Sequence, residues 1–554
     1  MDEISENRVT RLIRWCEGLP QGGRMLLMLT AIAVLGYGLS GELLRWFGTD
    51  EGNFLYKASL LAHGGLPYVQ FNDFIPPLGH YITAGLIRCF GMNPVAIRMV
   101  VVLGWCVEIF LLYRIGRRFL PRSWAWVLVL FLWLTDTRYV IDQHHYWSGL
   151  FSLLAVDQAF RYLETDRRRR LIGCGVLSGL ALWSTQSTGV LLIAAIGIFS
   201  LIDCFEQKKR GLPCWLFSWG FYWLLPVMLV LVTGVGILCL MGVWPYFYRD
   251  AVVWLLHGTY AGTTRFGYDV ALGDELGKTL QPLLSPLPLW LKLLFIDRVV
   301  VAGHYLLMAA LPLFGIAGIG ISCYQNPDTK NRMRLLLLLS ASALIVSTMS
   351  YATSMHLVSN AGPAYLLGFI VLFEASRSAR WQPTLLNGML VFLILVLLTV
   401  VKGSWEKFTY SQWVSFSGVE TPLLVPTLNQ QAQSLTTTVH ILHEANVKHE
   451  AVFVFCESPE LYLTENFRNA TRYSLVMPVY VSPDQMTELM TELRINRPLF
   501  IVDDMVLPAL HDDPRFRQYP VSQLQLPEIK AFMASHYQFE AWQGRYIIYR
   551  RRDF

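Results

Sequence analysis

Long apolar runs decide what this chain can become. Stretches of about 20 residues with almost no charge recur over roughly the first 400 positions, and each can cross a ~30 Å hydrocarbon core. A segment in lipid must satisfy its own backbone hydrogen bonds, which makes these runs helices. The composition agrees, at 54% hydrophobic and 15% charged with a mean hydropathy of +0.41, where soluble domains carry about 25% charged residues. The 554 residues therefore read as a polytopic α-helical membrane protein. Its net charge of +5 is small, and its basic residues cluster in short loops, which speaks for topology and against a nucleic-acid partner. Nine scattered cysteines without a C-x-x-C pair give no reason to expect a disulfide framework or a zinc site. Arg8, Arg11 and Arg14 precede the first apolar run, and no cleavage site is evident after it, so no cleaved signal peptide is expected.

The arginines orient the spans. Basic clusters stand before the first span and at Arg114–Arg122, Arg161–Arg170, Lys208–Arg210, Lys330–Arg334 and Arg377–Arg380. Placing all of them in the cytoplasm requires the intervening spans to come in pairs. PPLGHYITAGLIRCF (76–90) is too short to cross and would invert the next cluster, so it reads as a helix on the outer surface. The second span then begins at Pro94, and later ones fall near 123–140, 147–163, 171–187, 189–204, 215–240, 298–322, 335–352, 361–376 and 384–402. The expectation is about eleven crossings in a cell (inner) membrane, N-terminus cytoplasmic and C-terminus outside. Residues 1–402 form the membrane domain, with a first outer loop at 45–93, and 403–554 a small extracytoplasmic α/β domain. In that domain EAVFVFCES, RPLFIVDD and GRYIIYRRR read as strands, and TTVHILHEANV and SPDQMTELMTELRI as helices.

Outer loops collect the ionisable residues. TDEGNFLYKASLLAHGG (49–65) presents Asp50 and Glu51 just after the first span. Helix capping accounts for one acid, Asp50 being a favoured N-cap type. The following helix puts Phe54, Leu55, Ala58, Leu61 and Ala62 on one face, so it is expected to lie in the membrane interface. Asp73 and His80 return to the same outer side, as do Asp142, His144 and His145. Such a wet, acidic, histidine-containing pocket suits general-base chemistry on a lipid-borne substrate. These residue types also suit a divalent cation, magnesium or calcium, although no ligand spacing supports one, and adjacent His144 and His145 point apart on most backbones. WPYFYRDAVVWLLHGTYAGTTRFGYD (244–269) carries Arg249, His257 and Arg265 among aromatics. It reads either as an interfacial aromatic belt or as cations waiting for a phosphate. Gln186 and His356 read as satisfied polar residues, and the Asn469-Ala-Thr sequon as incidental.

TDEGNFLYKA (49–58), GGLPY (64–68), DFIPPLGHY (73–81), the F-G-x-N-x-x-A-x-R stretch at 90–98 and IDQHHYW (141–147) together resemble one family. It is the C-type glycosyltransferase superfamily, in the branch of the protein O-mannosyltransferases and the lipid A aminoarabinose transferase. The resemblance covers about the first 200 residues well and the later spans loosely. It implies a polyprenyl-phosphate sugar donor and a lipid, glycan or protein acceptor on the outer face, with inversion at the anomeric carbon. It also implies Asp50 as general base, with Glu51 supporting it or orienting the acceptor. Asp73, His80, Tyr81, Asp142, His144, His145, Arg249, His257 and Arg265 would line the substrates. Many relatives carry a lysine where this chain has Ile75, so the grip on the lipid phosphate would fall to Arg249, Arg265 or His257. Rival readings are a lipid-linked-sugar transporter, an O-antigen ligase or polymerase, and a receptor. A transporter would carry more mid-span charge than Glu108 and Asp157, a ligase would lack the Asp-Glu pair, and no inner domain is present for signalling.

Overall fold

The computed structural model describes residues 41–136, 144–206, 216–254, 296–323, 329–348, 359–378, 381–427, 430–446, 450–455, 458–476, 481–504 and 526–552, with residues 31–32, 36 and 288 besides. Most of the first expected span lies outside them. Two short helices come first, α1 (Thr49–Ala62) and α2 (Leu78–Phe90). Long apolar helices follow: α3 (Pro94–Gly116), α4 (Arg122–Asp136), α5 (His144–Thr165), α6 (Arg169–Ser184) and α7 (Gln186–Glu206). A π-helical stretch, Leu216–Leu224, leads into α8 (Leu225–Leu240), and the short α9 (Trp244–Phe247) runs into a second, Tyr248–Val253. The bundle closes with α10 (Ile296–Cys323), α11 (Thr329–Thr348), α12 (Gly362–Ser378) and α13 (Gln382–Thr409).

Helix starts follow capping chemistry. Asn93 accepts the Ala96 N–H at 3.0 Å, with Pro94 at the first helical position of α3. Among the described residues, Pro94–Gly116, Gln186–Cys204, Ser218–Leu240 and Gln382–Thr409 are long and apolar enough to cross a membrane. Basic residues gather at one end of the bundle and find acids there. Arg118 lies 2.5 Å from Glu164 and Arg332 2.5 Å from Asp203, while Arg334 pairs with Glu374. Asp157, read as mid-span, belongs to this end too, held by Arg114 and by Arg161 at 3.0 Å. Such pairs contribute little stability, yet they level the helix ends on one face. The starts of α3, α5 and α7 lie at the opposite end, with α1 and α2.

α13 runs past the expected boundary at 402 to Thr409, and a hairpin not foreseen in the sequence follows at once, β1 (Ser411–Phe416) with β2 (Val419–Pro426). Residues 44–46 add to its edge, the Trp46 N–H donating to Leu424 O at 2.8 Å and the Leu424 N–H to Leu44 O at 2.7 Å. Then come α14 (Gln431–Ala445), β3 (Val452–Phe455), α15 (Leu461–Thr464), α16 (Pro483–Asn496), β4 (Phe500–Asp504), α17 (Pro527–His536), β5 (Tyr537–Gln543) and β6 (Tyr546–Arg551). The sheet order is β3-β4-β6-β5, with β3 and β4 parallel and the other pairs antiparallel.

Alternation along the strands splits the apolar residues between two cores. Phe453, Phe455 and Ile501 pack with α16 and α17. Val452, Val454, Phe500 and Val502 form the other core, which contains Leu55, Tyr56 and Ala58 of α1. This corrects the expectation that α1 lies in the interface. Its apolar residues are not one stripe: Leu55, Tyr56 and Ala58 enter the sheet's core, while Leu61 packs with Phe71 and Ala84 on another side. α1 is a buried axle between bundle and sheet.

Candidate active site

Three consecutive residues in the first turn of α1 have three separate fates. The N-cap is Gly48, so Asp50 is not the capping residue that its type implied. It stands in the first turn and is exposed, where the helix dipole favours its charge. Glu51 is buried and takes both bonds of the Arg98 fork, Nε to Oε1 at 2.7 Å and Nη2 to Oε2 at 2.9 Å. Arg98 itself is wholly buried, and its Nη1 donates to Leu43 O at 2.9 Å and Arg45 O at 2.8 Å. Burial pushes the Glu51 carboxyl up, but Arg98, Arg45 and the Gly48 N–H outweigh it and hold it below the usual range. Gly52 lies against the C-terminal sheet domain, since a Cβ there would come 2.7 Å from Glu460 Cβ and 3.2 Å from its Cα. Glu51 and Gly52 thus fix the helix that displays Asp50.

A second buried group organises the loop to α2. Lys57 Nζ donates to Asp73 Oδ2 at 2.9 Å, and Asp73 Oδ1 accepts the N–H groups of Phe74 at 2.8 Å and Ile75 at 3.3 Å. His80 Nε2 stands 3.2 Å from Asp73 Oδ2, close but poorly directed for a hydrogen bond, between the rings of Phe54 at 4.1 Å and Phe71 at 5.6 Å. Burial would push the Asp73 carboxyl up; Lys57 and His80 hold it well below the ordinary range. Burial depresses the His80 imidazole, with Asp73 opposing. Asp73, His80 and Lys57 are all nearly inaccessible. Asp73 and Lys57 fix the shape of the loop. Lys57 escaped the sequence reading, although its place seven residues after Asp50 puts both on one helix face.

Other expected residues converge beside this pair. Phe54, one turn after Asp50 on that same face, lies 6.5 Å from the His144 ring, and a Cβ added at Gly79 of α2 would come 3.5 Å from His144 Cα. The rings of His144 and His145, the first two residues of α5, approach to 4.0 Å rather than pointing apart. Tyr81 is part exposed, its hydroxyl 3.6 Å from Met241 Sδ. Gln186 is a satisfied polar residue, donating to Phe74 O at 2.6 Å. Phe74 stacks on Trp254 at 4.9 Å.

Arg249 lies 2.9 Å from Asp250 and 3.2 Å from Glu488, with 44% of its side chain exposed. Of the aromatics beside it, Phe247 is buried against Tyr68 at 5.3 Å and Trp183 at 5.8 Å, while Tyr246 and Tyr248 are exposed. Arg472, absent from the sequence reading, is the hub: it donates to Asp250 at 2.5 Å, to Tyr68 O at 3.0 Å and to Glu488 at 2.9 Å. Asp142, His257, Arg265 and His356 lie outside the described residues. Among the described residues no cluster of three His, Cys, Asp or Glu side chains is placed to hold a metal. Glu51 leaves the expected cation set because Arg98 takes both its oxygens.

Residues 75–242 match the family described as dolichyl-phosphate-mannose-protein mannosyltransferase. The resemblance to C-type glycosyltransferases holds. The whole chain shares a fold with ArnT from Cupriavidus metallidurans. For the structure bound to undecaprenyl phosphate the TM-score is 0.55 at 13% identity, covering 94% of this chain and 97% of that one. For apo ArnT it is 0.56 at 12% identity with the same coverage. The Archaeoglobus fulgidus oligosaccharyltransferase in complex with Zn and sulfate gives 0.51 at 10% identity, covering 94% of this chain and 73% of that one. No curated protein matches the chain. Within the Asp-Glu-Gly turn Asp50 is the exposed member, one helical turn before Phe54, whose ring lies 6.5 Å from that of His144.

Proposed function

We propose that this glycosyltransferase transfers a sugar from a polyprenyl monophosphate to a hydroxyl or amine of a lipid, glycan or protein on the outer face of a cell membrane. In this reading the bundle crosses about eleven times, N-terminus inside. Residues 1–402 are its membrane domain and 403–554 stand outside. Asp50 is the general base. It takes the proton of the acceptor O–H or N–H as that atom attacks the anomeric carbon from the face opposite the phosphate. The C1–O bond breaks, the configuration inverts, and polyprenyl phosphate leaves as a stable anion, so cations matter more than a separate acid. Of the three cations named for that anion, Arg249 is the described one and is 44% exposed, with His144 and Tyr81 nearer the sugar.

The observation that carries the reading is the division of labour in the Asp-Glu-Gly turn, where Glu51 and Gly52 anchor and Asp50 alone is displayed. The bound undecaprenyl phosphate of the ArnT structure supports the donor class. The test is reconstitution in nanodiscs with a panel of polyprenyl-monophosphate sugars and an envelope extract as acceptor. Release of free polyprenyl phosphate is expected, falling about 10²–10⁴-fold in Asp50→Asn at unchanged Tm. Wild-type release by that variant would remove Asp50 as the base. No release from any donor would remove the transferase reading.

A further inference from the structure

The face of α1 away from Asp50 also borders a cavity. Asp50, Phe54, Lys57 and Leu61 share one face of the helix; Gly52, Tyr56, Ser59 and His63 lie about 180° round it. Between that second face, the loop at 69–70 and the segment after α15 lies an open cleft of about 570 Å³. That volume falls within the roughly 300–1,000 Å³ of small-molecule sites. Its residues are all described, and the reaction scheme above uses none of them.

The lining is chemically specific. At its base Tyr56 stacks on Tyr462 with centroids 4.8 Å apart, and Phe467 lies beside them. The walls carry four side-chain amides from three segments of chain, Gln70, Asn466 with Asn469, and Asn496. Two of them are held rigidly, Asn469 donating to Tyr473 O at 3.0 Å and Asn496 to Ala470 O at 2.6 Å. Asn466, Arg468 and Gln70 are exposed at the rim. An amide both donates and accepts, as does a sugar hydroxyl, and the buried Tyr56–Tyr462 stack gives the cleft a rigid floor. Arg472 is already spent on Asp250 and Glu488, and Glu492 adds a carboxylate to the wall, so the charge the lining offers to solvent is the one rim arginine, Arg468, opposed by Glu492.

We propose that this cleft binds a neutral saccharide, at a second site on the opposite face of α1 from Asp50. Taken with the transferase reading, on which this half rests, it holds the non-reacting part of a glycan acceptor. The same contacts dispose of the sequon, since Asn469 and Thr471 are engaged in the cleft wall, Thr471 donating its N–H to Asn469 Oδ1 at 3.0 Å.

The test is saturation-transfer NMR on the full chain in nanodiscs with mannotriose, maltotriose and chitotriose. At least one is expected to bind, at least tenfold more weakly to an Asn466→Ala/Arg468→Ala double variant and equally well to Asp50→Asn. Should the double variant melt early, Gln70→Ala on the facing wall replaces it. Failure of all three sugars to bind, or binding untouched by the cleft variants, overturns the proposal. Because the readout needs no turnover, a chain that binds saccharide here but releases no polyprenyl phosphate leaves this site standing and removes only the transferase reading.

Discussion

Adjacent carboxylates in one helical turn do different work. Asp50 faces solvent, whereas Glu51 compensates a buried guanidinium with bonds of 2.7 and 2.9 Å. Removing one partner of such a pair leaves a buried charge and typically costs about 3–5 kcal/mol. Glu51→Ala is therefore expected to lower Tm strongly while the molecules that remain folded still turn over, the reverse of Asp50→Asn; thermal melts beside per-molecule rates separate them. Glu460 makes a pH-dependent contribution. Burial raises its carboxyl to about 8, against an ordinary value of 4.5. The folded state thus holds a proton that the unfolded state has released across that window. Stability from this group falls as pH rises from about 4.5 to about 8 and then levels. Denaturant titrations at pH 5 and pH 8 should show Glu460→Gln gaining on the wild type at the higher pH. A gap independent of pH would show that Glu460 is charged throughout.

α1 is the element on which bundle and sheet meet. The Asp-Glu-Gly turn stood out in the sequence as a candidate site because capping accounts for only one of two adjacent acids, but the need for glycine did not show there. Only the structure shows Glu460 approaching so closely that a methyl group would sit 2.7 Å from its Cβ and 3.2 Å from its backbone. Backbone cannot yield as a side-chain tip can, so Gly52→Ala is expected to cost about 1–3 kcal/mol by overpacking and to lower activity by shifting α1. Unchanged Tm and rate in that variant would mean the domain gives way freely. The amphipathic reading of α1 failed for a related reason. A hydrophobic pattern tells which residues seek burial, not whether lipid, another helix or a distant sheet will cover them.

At the scale of the molecule, Arg472 joins the C-terminal domain to the loop ahead of α2 and to the π-helical stretch carrying Asp250, bridging positions 404 and 222 apart in sequence. Arg472→Ala leaves the wholly buried Asp250 with one of its two arginine partners, Arg249, and strips Glu488 of its buried donor. Its expected cost is about 3–5 kcal/mol, with hydrogen exchange rising first at residues 66–77. Protection unchanged there would show the domain is held by its apolar core alone. Apolar run lengths and the distribution of arginines established in advance a helical membrane protein, and local strand and helix periodicity established an α/β C-terminal segment, because these properties depend on neighbours within about 20 residues. The order of short motifs pointed to the family. What pairs with what was left to the tertiary structure: Lys57 with Asp73 across 16 positions, Arg98 with Glu51 across 47, Arg472 with its partners across hundreds. A buried charge is placed by whichever opposite charge the packed chain brings within about 3 Å, and no local pattern records that distance.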